Sequence, residues 1–221
     1  MSAAERYNLH RKMPNFEDFA SDAAKFAPGP EPLSVLNAWF EEATAAQHPM
    51  PDAMTLATAT KSGQPSARVV LFKGLMRGGV LFVTNYQSRK ARELDENPLA
   101  ALVLHFPLLQ RQVRVEGRVE RASEAESEAY FQSRARGSQL GAWASPQSQP
   151  IQSRAALDAM ADDVEARFAG QSVTRPEFWG GYLVFPSKVE LWLGRPDRLH
   201  DRFLYQRGSD AEPWSIQRLA P

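Results

Sequence analysis

Three groups of side chains in this chain are of types and spacings that could do chemistry. The first is Ser88-Arg89-Lys90, which follows the apolar run Val80-Leu81-Phe82-Val83 and the turn Asn85-Tyr86-Gln87. Ser88 reads as the N-cap of a helix that Asn97-Pro98 stops, so Arg89 and Lys90 stand in a first helical turn. The macrodipole places partial positive charge there and disfavours each cation by roughly 0.3–1 kcal/mol. A bound phosphate removes the conflict: free backbone N–H groups, the Ser88 hydroxyl and two cations form a cradle without a glycine-rich loop. The alternative is a solvated basic turn balanced by Glu93, Asp95 and Glu96. The second group is Tyr130 and Arg134, one helical turn apart on a shared face, with Ser138 beyond them. A phenol, a guanidinium and a hydroxyl suit a second phosphate, and an ordinary polar helix surface is the competing reading. The third is Arg198-Leu199-His200-Asp201-Arg202, whose ionisable groups beside a strand are costly unless paired or used.

Other chemistries lack their parts. His10, His48, His105 and His200 are scattered, and none offers the i, i+4 spacing of a helical metal pair, so no metal site is expected. There is no GxSxG, no Walker loop and no strand-GxGxxG-helix unit. The absence of cysteine excludes disulfides, thiolate metal sites and cysteine nucleophiles. A formal charge of zero gives no bulk attraction to nucleic acid or to an anionic membrane, so phosphate recognition must be local. No apolar run approaches the ~20 residues of a membrane span, and no signal pattern opens the chain, so a cytoplasmic protein is expected.

The elements that must hold these groups follow from periodicity. Residues 1–30, interrupted by Pro14, Pro28 and Pro30, read as a loosely attached arm, and residues 31–221 as a single domain. Pro32 opens an amphipathic helix carrying Leu33, Val35, Leu36, Ala38, Trp39, Phe40 and Ala43. Residues 53–60 and 66–73 form a hairpin about Lys61-Ser62-Gly63-Gln64, and Gly78-Gly79 turns into the strand before Ser88. Residues 99–106, apolar at both alternations, are expected to be buried on both faces, whereas 112–121 alternates Val113, Val115 and Val119 with polar residues. Ser123 and Glu126 form a capping box for a helix to Ser133, and Ser138 is expected to cap a second helix over 139–143. A polar loop with Gln147 and Ser148 precedes an Ala-rich helix, and strands are expected at 182–185, 189–193, 202–207 and 214–219. Short antiparallel strands at hairpin spacing predict a mainly β, α+β barrel with peripheral helices.

The segments LATATKSGQPSARVVLFKG, LFVTNYQSRKARELDENP, RQVRVEGRVER, YFQSRARGSQLGAW, SPQSQPI, FWGGYLVFP and RLHDRFLYQR, with the terminal RLAP, resemble the pyridoxamine 5'-phosphate oxidase family from Pro32 to Pro221. The resemblance implies an FMN-binding split β-barrel and a homodimer with flavin between subunits. It implies oxidation of pyridoxamine and pyridoxine 5'-phosphates to pyridoxal 5'-phosphate, with dioxygen giving hydrogen peroxide, in vitamin B6 metabolism. It places FMN contacts on Arg68, Val69, Val70, Leu71, Phe72, Lys73, Val83, Thr84, Arg89, Lys90, Gln112, Gln147, Ser148, Trp192 and Arg202. Substrate contacts fall on Lys73, Tyr130, Arg134, Ser138, Arg198 and His200, with Arg198 against the pyridine ring and His200 at the reacting substituent. Strand alternation puts Arg68 and Lys73 on opposite faces unless the strand ends or bulges near Gly74. Val83 stands where the family often has tyrosine, and Ala135 where it often has proline, which predicts a softer break between the two helices. Two other readings accompany this one: a split-barrel flavin oxidase acting on a phenazine precursor, and a non-catalytic flavin- or heme-handling protein.

Overall fold

The computed structural model describes Gly29 and residues 31–221. The expected arm, with Arg6-Tyr7 and Arg11-Lys12, otherwise lies outside the described residues. The elements, in order, are α1 (Pro32–Ala45), β1 (Ala53–Ala59), β2 (Pro65–Leu71), β3 (Leu75–Met76), β4 (Gly79–Asn85), α2 (Arg89–Glu96), β5 (Leu99–Phe106) and β6 (Arg111–Arg121). They continue with α3 (Glu124–Ser133), α4 (Arg136–Ala144), α5 (Arg154–Arg167), β7 (Trp179–Leu193), β8 (Asp201–Gln206) and β9 (Ser215–Leu219). The strands form one sheet in the order β2-β1-β5-β6-β7-β4-β3, with β8 on β7 and β9 on β8. The pairs β1/β2, β3/β4, β4/β7, β7/β8 and β8/β9 are antiparallel.

The described chain packs as two compact units. One takes residues 53–102 and 116–186. Within it β1 and β2 pair from Ala53↔Leu71 to Ala59↔Pro65, and β4 pairs with the first half of β7 from Val80↔Val184 to Asn85↔Trp179. The other takes residues 31–52, 103–115 and 187–221, and there the second half of β7 pairs with β8 from Lys188↔Gln206 to Leu193↔Asp201. Among the described residues no helix is long and apolar enough to cross a membrane.

Three expectations are corrected. Residues 179–193 are one strand of 15 residues, not two. Pro186, which breaks the apolar pattern, falls where the partner of β7 changes from β4, whose pairing reaches Val184, to β8, whose pairing begins at Lys188. Strand β5 is not buried on both faces: every second residue is buried, but Leu99 is 58% exposed and His105 is exposed. Helix α4 begins at Arg136 with Ala135 as its N-cap, so Ser138 lies inside its first turn and does not cap it. The break falls on Arg134 (φ −77°, ψ 148°) and Ala135 (φ −57°, ψ 140°). These are the angles that proline and the residue before it adopt, so alanine keeps the break that proline would have enforced.

Candidate active site

Helix α2 starts at Arg89 after Ser88, as its sequence predicts, but its two cations are handled differently. Arg89 turns along the helix and its Nε donates to Glu93 at 2.8 Å. The same carboxylate accepts from Ser66 Oγ at 2.6 Å, from Thr58 Oγ1 and from Arg68 Nη2 at 3.2 Å. Burial pushes Glu93 up, but hydrogen bonds from Ser66, Thr58 and Arg89, with the Arg68 charge, outweigh it and hold the carboxyl at about 2. Glu93 therefore stays ionised and fixes Arg68, whose Nη1 also donates to Leu56 O at 3.2 Å and Thr58 Oγ1 at 2.6 Å.

Lys90 folds back onto β4 instead. Its ammonium donates to Gln147 Oε1 at 2.7 Å, Thr84 Oγ1 at 3.1 Å and Ser88 Oγ at 3.2 Å, all neutral acceptors. Thr84 Oγ1 in turn donates to Gln147 at 2.9 Å. Burial, and then the charge of Arg68, lower Lys90 from 10.5 to about 8. A cation buried without a counter-ion is costly unless an anion joins it.

Lys90 lines a cavity of about 470 Å³ bounded by Arg68, Val69, Val70, Leu71, Lys73, Val83, Thr84, Tyr130, Arg134, Ala135, Ser138, Gln147 and Trp179. Arg68 and Lys73 both reach it, because β2 ends at Leu71 and Gly74 takes φ +100°, so strict alternation has ceased before Lys73. Arg134 closes the chain end of α3, with a buried Nη1 that has no hydrogen-bond partner among the described residues. Lys90 of the first expected cradle and Tyr130, Arg134 and Ser138 of the second thus line one cavity. Arg89, Phe72 and Ser148 do not line it: Arg89 is occupied by Glu93, Phe72 is 3% exposed in the core, and Ser148 is exposed.

The remaining expected residues lie in the other unit. Trp192 and His200 meet ring to ring at 4.5 Å between centroids. His200 Nδ1 accepts from the Arg195 backbone N–H at 3.1 Å, which puts the proton of the neutral ring on Nε2. Burial and then the Arg198 charge push His200 below its usual range. Asp201, raised by burial but lowered more by hydrogen bonds from Arg195 and Arg218, is held by those two arginines and not by His200. Arg202 is bidentate on Glu190, at 2.9 and 3.1 Å, and also donates to Ala220 O. Gln112 sits half-buried on β6. Asp197 and Arg198 take φ of 55° and 62°, a left-handed pair that costs about 1–2 kcal/mol per residue and leaves Arg198 exposed.

Residues 40–168 match the family described as pyridoxamine 5'-phosphate oxidase, and residues 179–221 match the pyridoxine 5'-phosphate oxidase C-terminal dimerisation region. The chain belongs to the pyridoxamine 5'-phosphate oxidase family. It is 53% identical over 208 residues to a pyridoxine/pyridoxamine 5'-phosphate oxidase of Burkholderia mallei, covering 94% of this chain and 96% of that one. A protein of the same description from Burkholderia thailandensis is 51% identical over the same shares. Among solved structures, PhzG of Burkholderia lata, in complex with tetrahydrophenazine-1-carboxylic acid, superposes with a TM-score of 0.82 at 33% identity, over 94% of this chain and 96% of its own. A pyridoxamine 5'-phosphate oxidase-related, FMN-binding protein of Nostoc punctiforme, at 20% identity and a TM-score of 0.68 over 89% of this chain and 99% of its own, adds support for the fold. The fold is the α+β split barrel of the pyridoxamine 5'-phosphate oxidase family.

Two members of the site escaped sequence reading. Glu93 counted only as charge balance, although its i, i+4 spacing from Arg89 was a readable signal. Trp179, inside the FWGG segment, carries no periodic signal that separates it from a core residue.

Proposed function

We propose that the protein is an FMN-dependent oxidase that converts pyridoxamine and pyridoxine 5'-phosphates to pyridoxal 5'-phosphate. The alcohol plus dioxygen gives the aldehyde plus hydrogen peroxide, and the amine takes up one water and releases ammonia as well. A homodimer and a cytoplasmic setting belong to the same reading, and we assign Gln112, Trp192 and Arg202 to the flavin as contacts from the second copy of the chain. The observation that carries the reading is a pair of cations in one cavity, the buried Lys90 and the half-buried Arg134 with its buried Nη1, neither compensated by a carboxylate among the described residues. Two ligand phosphates, one from a flavin mononucleotide and one from a substrate, would compensate both. Bound flavin supplies the two-electron acceptor that dioxygen regenerates.

The protein's own groups bind and orient. Lys90, Arg68, Thr84 and Gln147 would hold the flavin end, and Arg134, Tyr130, Ser138 and Lys73 the substrate phosphate. His200, neutral at pH 7 and proton-bearing at Nε2, can donate to the substituent on the reacting carbon. Its Nδ1 lone pair is taken by the Arg195 N–H, so uptake of a proton there requires losing that contact. This makes it an orienting donor before it is a base.

The test is the visible spectrum of the purified protein before and after pyridoxamine 5'-phosphate is added without oxygen. A yellow protein that bleaches and recovers its colour in air, with one hydrogen peroxide per turnover, is expected. A colourless protein whose melting temperature ignores FMN would end this reading. The likeness to PhzG supports a second reading, which gains if tetrahydrophenazine-1-carboxylic acid bleaches the flavin and pyridoxamine 5'-phosphate does not.

A further inference from the structure

Arg68 is fixed by the carboxylate of Glu93, but Arg134 has no such partner among the described residues, and something else must hold it in place. Its guanidinium carbon lies 4.5 Å from the centroid of the Trp179 ring and 5.8 Å from that of Phe131. Trp179, the first residue of β7, is 5% exposed and is itself well fixed. Its ring lies nearly parallel to Tyr130, at 6.3 Å and 18°, and meets Phe131 edge-on at 5.3 Å and 71°. Its backbone N–H donates to Pro176 O at 3.0 Å, and its carbonyl accepts from Arg175 Nη1 at 2.7 Å.

A carboxylate would order a guanidinium but would also cancel its charge and occupy the N–H groups that a phosphate needs. An indole face attracts the cation through its quadrupole and takes none of the donors in the guanidinium plane. It also restricts a side chain that otherwise spends rotamer entropy on binding. Desolvation lowers the pKa of Arg134 from its ordinary value, the expected condition of a cation held on aromatic surface and awaiting an anion.

We propose that Trp179 is a positioning residue for substrate phosphate: its indole face presents the Arg134 guanidinium, uncompensated, to the cavity, and so selects phosphorylated over unphosphorylated ligands. This rests on the reading of Arg134 as a phosphate group's partner. The experiment uses the FMN-loaded full chain and measures dissociation constants for pyridoxal 5'-phosphate and for pyridoxal. The proteins are the wild type, Trp179→Phe, Trp179→Leu, Arg134→Ala and the double variant Trp179→Phe/Arg134→Ala. Trp179→Phe, which keeps an aromatic face of weaker attraction, should weaken pyridoxal 5'-phosphate about 3- to 10-fold, and Trp179→Leu more, with pyridoxal changed less than about twofold. In the Arg134→Ala background, Trp179→Phe should cost nothing further. If Trp179→Leu fails to load flavin, the phenylalanine variants carry the test. Equal weakening of both ligands, or an undiminished effect without Arg134, would make Trp179 a packing residue and overturn the proposal. Unchanged pyridoxal 5'-phosphate binding in Arg134→Ala would instead refute the phosphate role of Arg134, and this inference with it.

Discussion

Lys90→Met separates what the site costs the fold from what it gains in binding. Methionine keeps most of the stem and removes the charge, while Thr84 and Gln147 keep their mutual hydrogen bond of 2.9 Å. In the folded protein Lys90 is lowered from 10.5 to about 8 by burial and by Arg68. At 1.36 kcal/mol per pH unit this corresponds to about 3 kcal/mol, which residual solvent screening reduces to about 1–3 kcal/mol. The unfolded chain keeps this proton to higher pH, so the folded state binds fewer protons between about 8 and 10.5. The penalty is therefore full below pH 8 and fades as pH rises through that window. Flavin-free Lys90→Met should melt higher by about 2–12 °C in a chain of this size. The same substitution removes a charge-assisted hydrogen bond to the flavin phosphate, so FMN affinity should fall by about 10- to 100-fold. The assays are calorimetry of the flavin-free protein and quenching of FMN fluorescence on titration, repeated from pH 7 to 9.5. Bound phosphate raises the lysine's pKa, so wild-type affinity should weaken towards tenfold per pH unit above about 8, whereas the variant should show no such slope. Equal FMN affinity in the two proteins, with a flat wild-type profile, would refute the assignment of Lys90 to the flavin phosphate.

Other consequences are open to measurement. His200→Ala should slow anaerobic flavin reduction in single turnover by about 10²-fold, the scale of a positioned donor or acid–base group, with a smaller loss in substrate binding; a wild-type rate would return His200 to a structural role. Glu93, whose folded value of about 2 lies below its ordinary 4.5, contributes stability above pH 4.5 that is lost as pH falls from there towards 2. Glu93→Gln should thus melt below wild type near neutrality, with a gap that closes in acid, and a gap independent of pH would contradict that balance. A Cβ at Gly117 would lie 1.9 Å from Phe185 O, a backbone atom that cannot swing away, so Gly117→Ala should cost more than about 4 kcal/mol or abolish soluble expression. Wild-type denaturation by urea would show that β6 and β7 can separate there.

How much of this was legible depends on whether a property is local. The helix start at Ser88, the capping box at Ser123 and the pairing of the first two strands as a hairpin are set by residues within a few positions, and each lies where the sequence places it. The fate of the two cations at that helix start is not local. Arg89 follows the solvated-turn alternative, taking Glu93 one turn on, while Lys90 is left to neutral acceptors. What separates them is that Glu93 is already bound by Thr58, Ser66 and Arg68 on the β1–β2 hairpin, and nothing in the order of residues around 88–96 shows this. Strand β5 misled for a similar reason: apolar composition reports that a face is to be covered, and Leu99 shows that the described chain alone does not cover it. Arg198 and His200 carried no signal beyond a costly charge cluster, and only the resemblance gave them roles. Compensation is thus the hardest part of a binding site to read. Gln147 meets Thr84 across 63 positions, and Arg134 finds its support in the aromatic face of Trp179, a residue type that a count of opposite charges passes over. A cation kept free for a ligand is defined by the carboxylate that does not reach it, and that absence becomes visible only when the strands are in place.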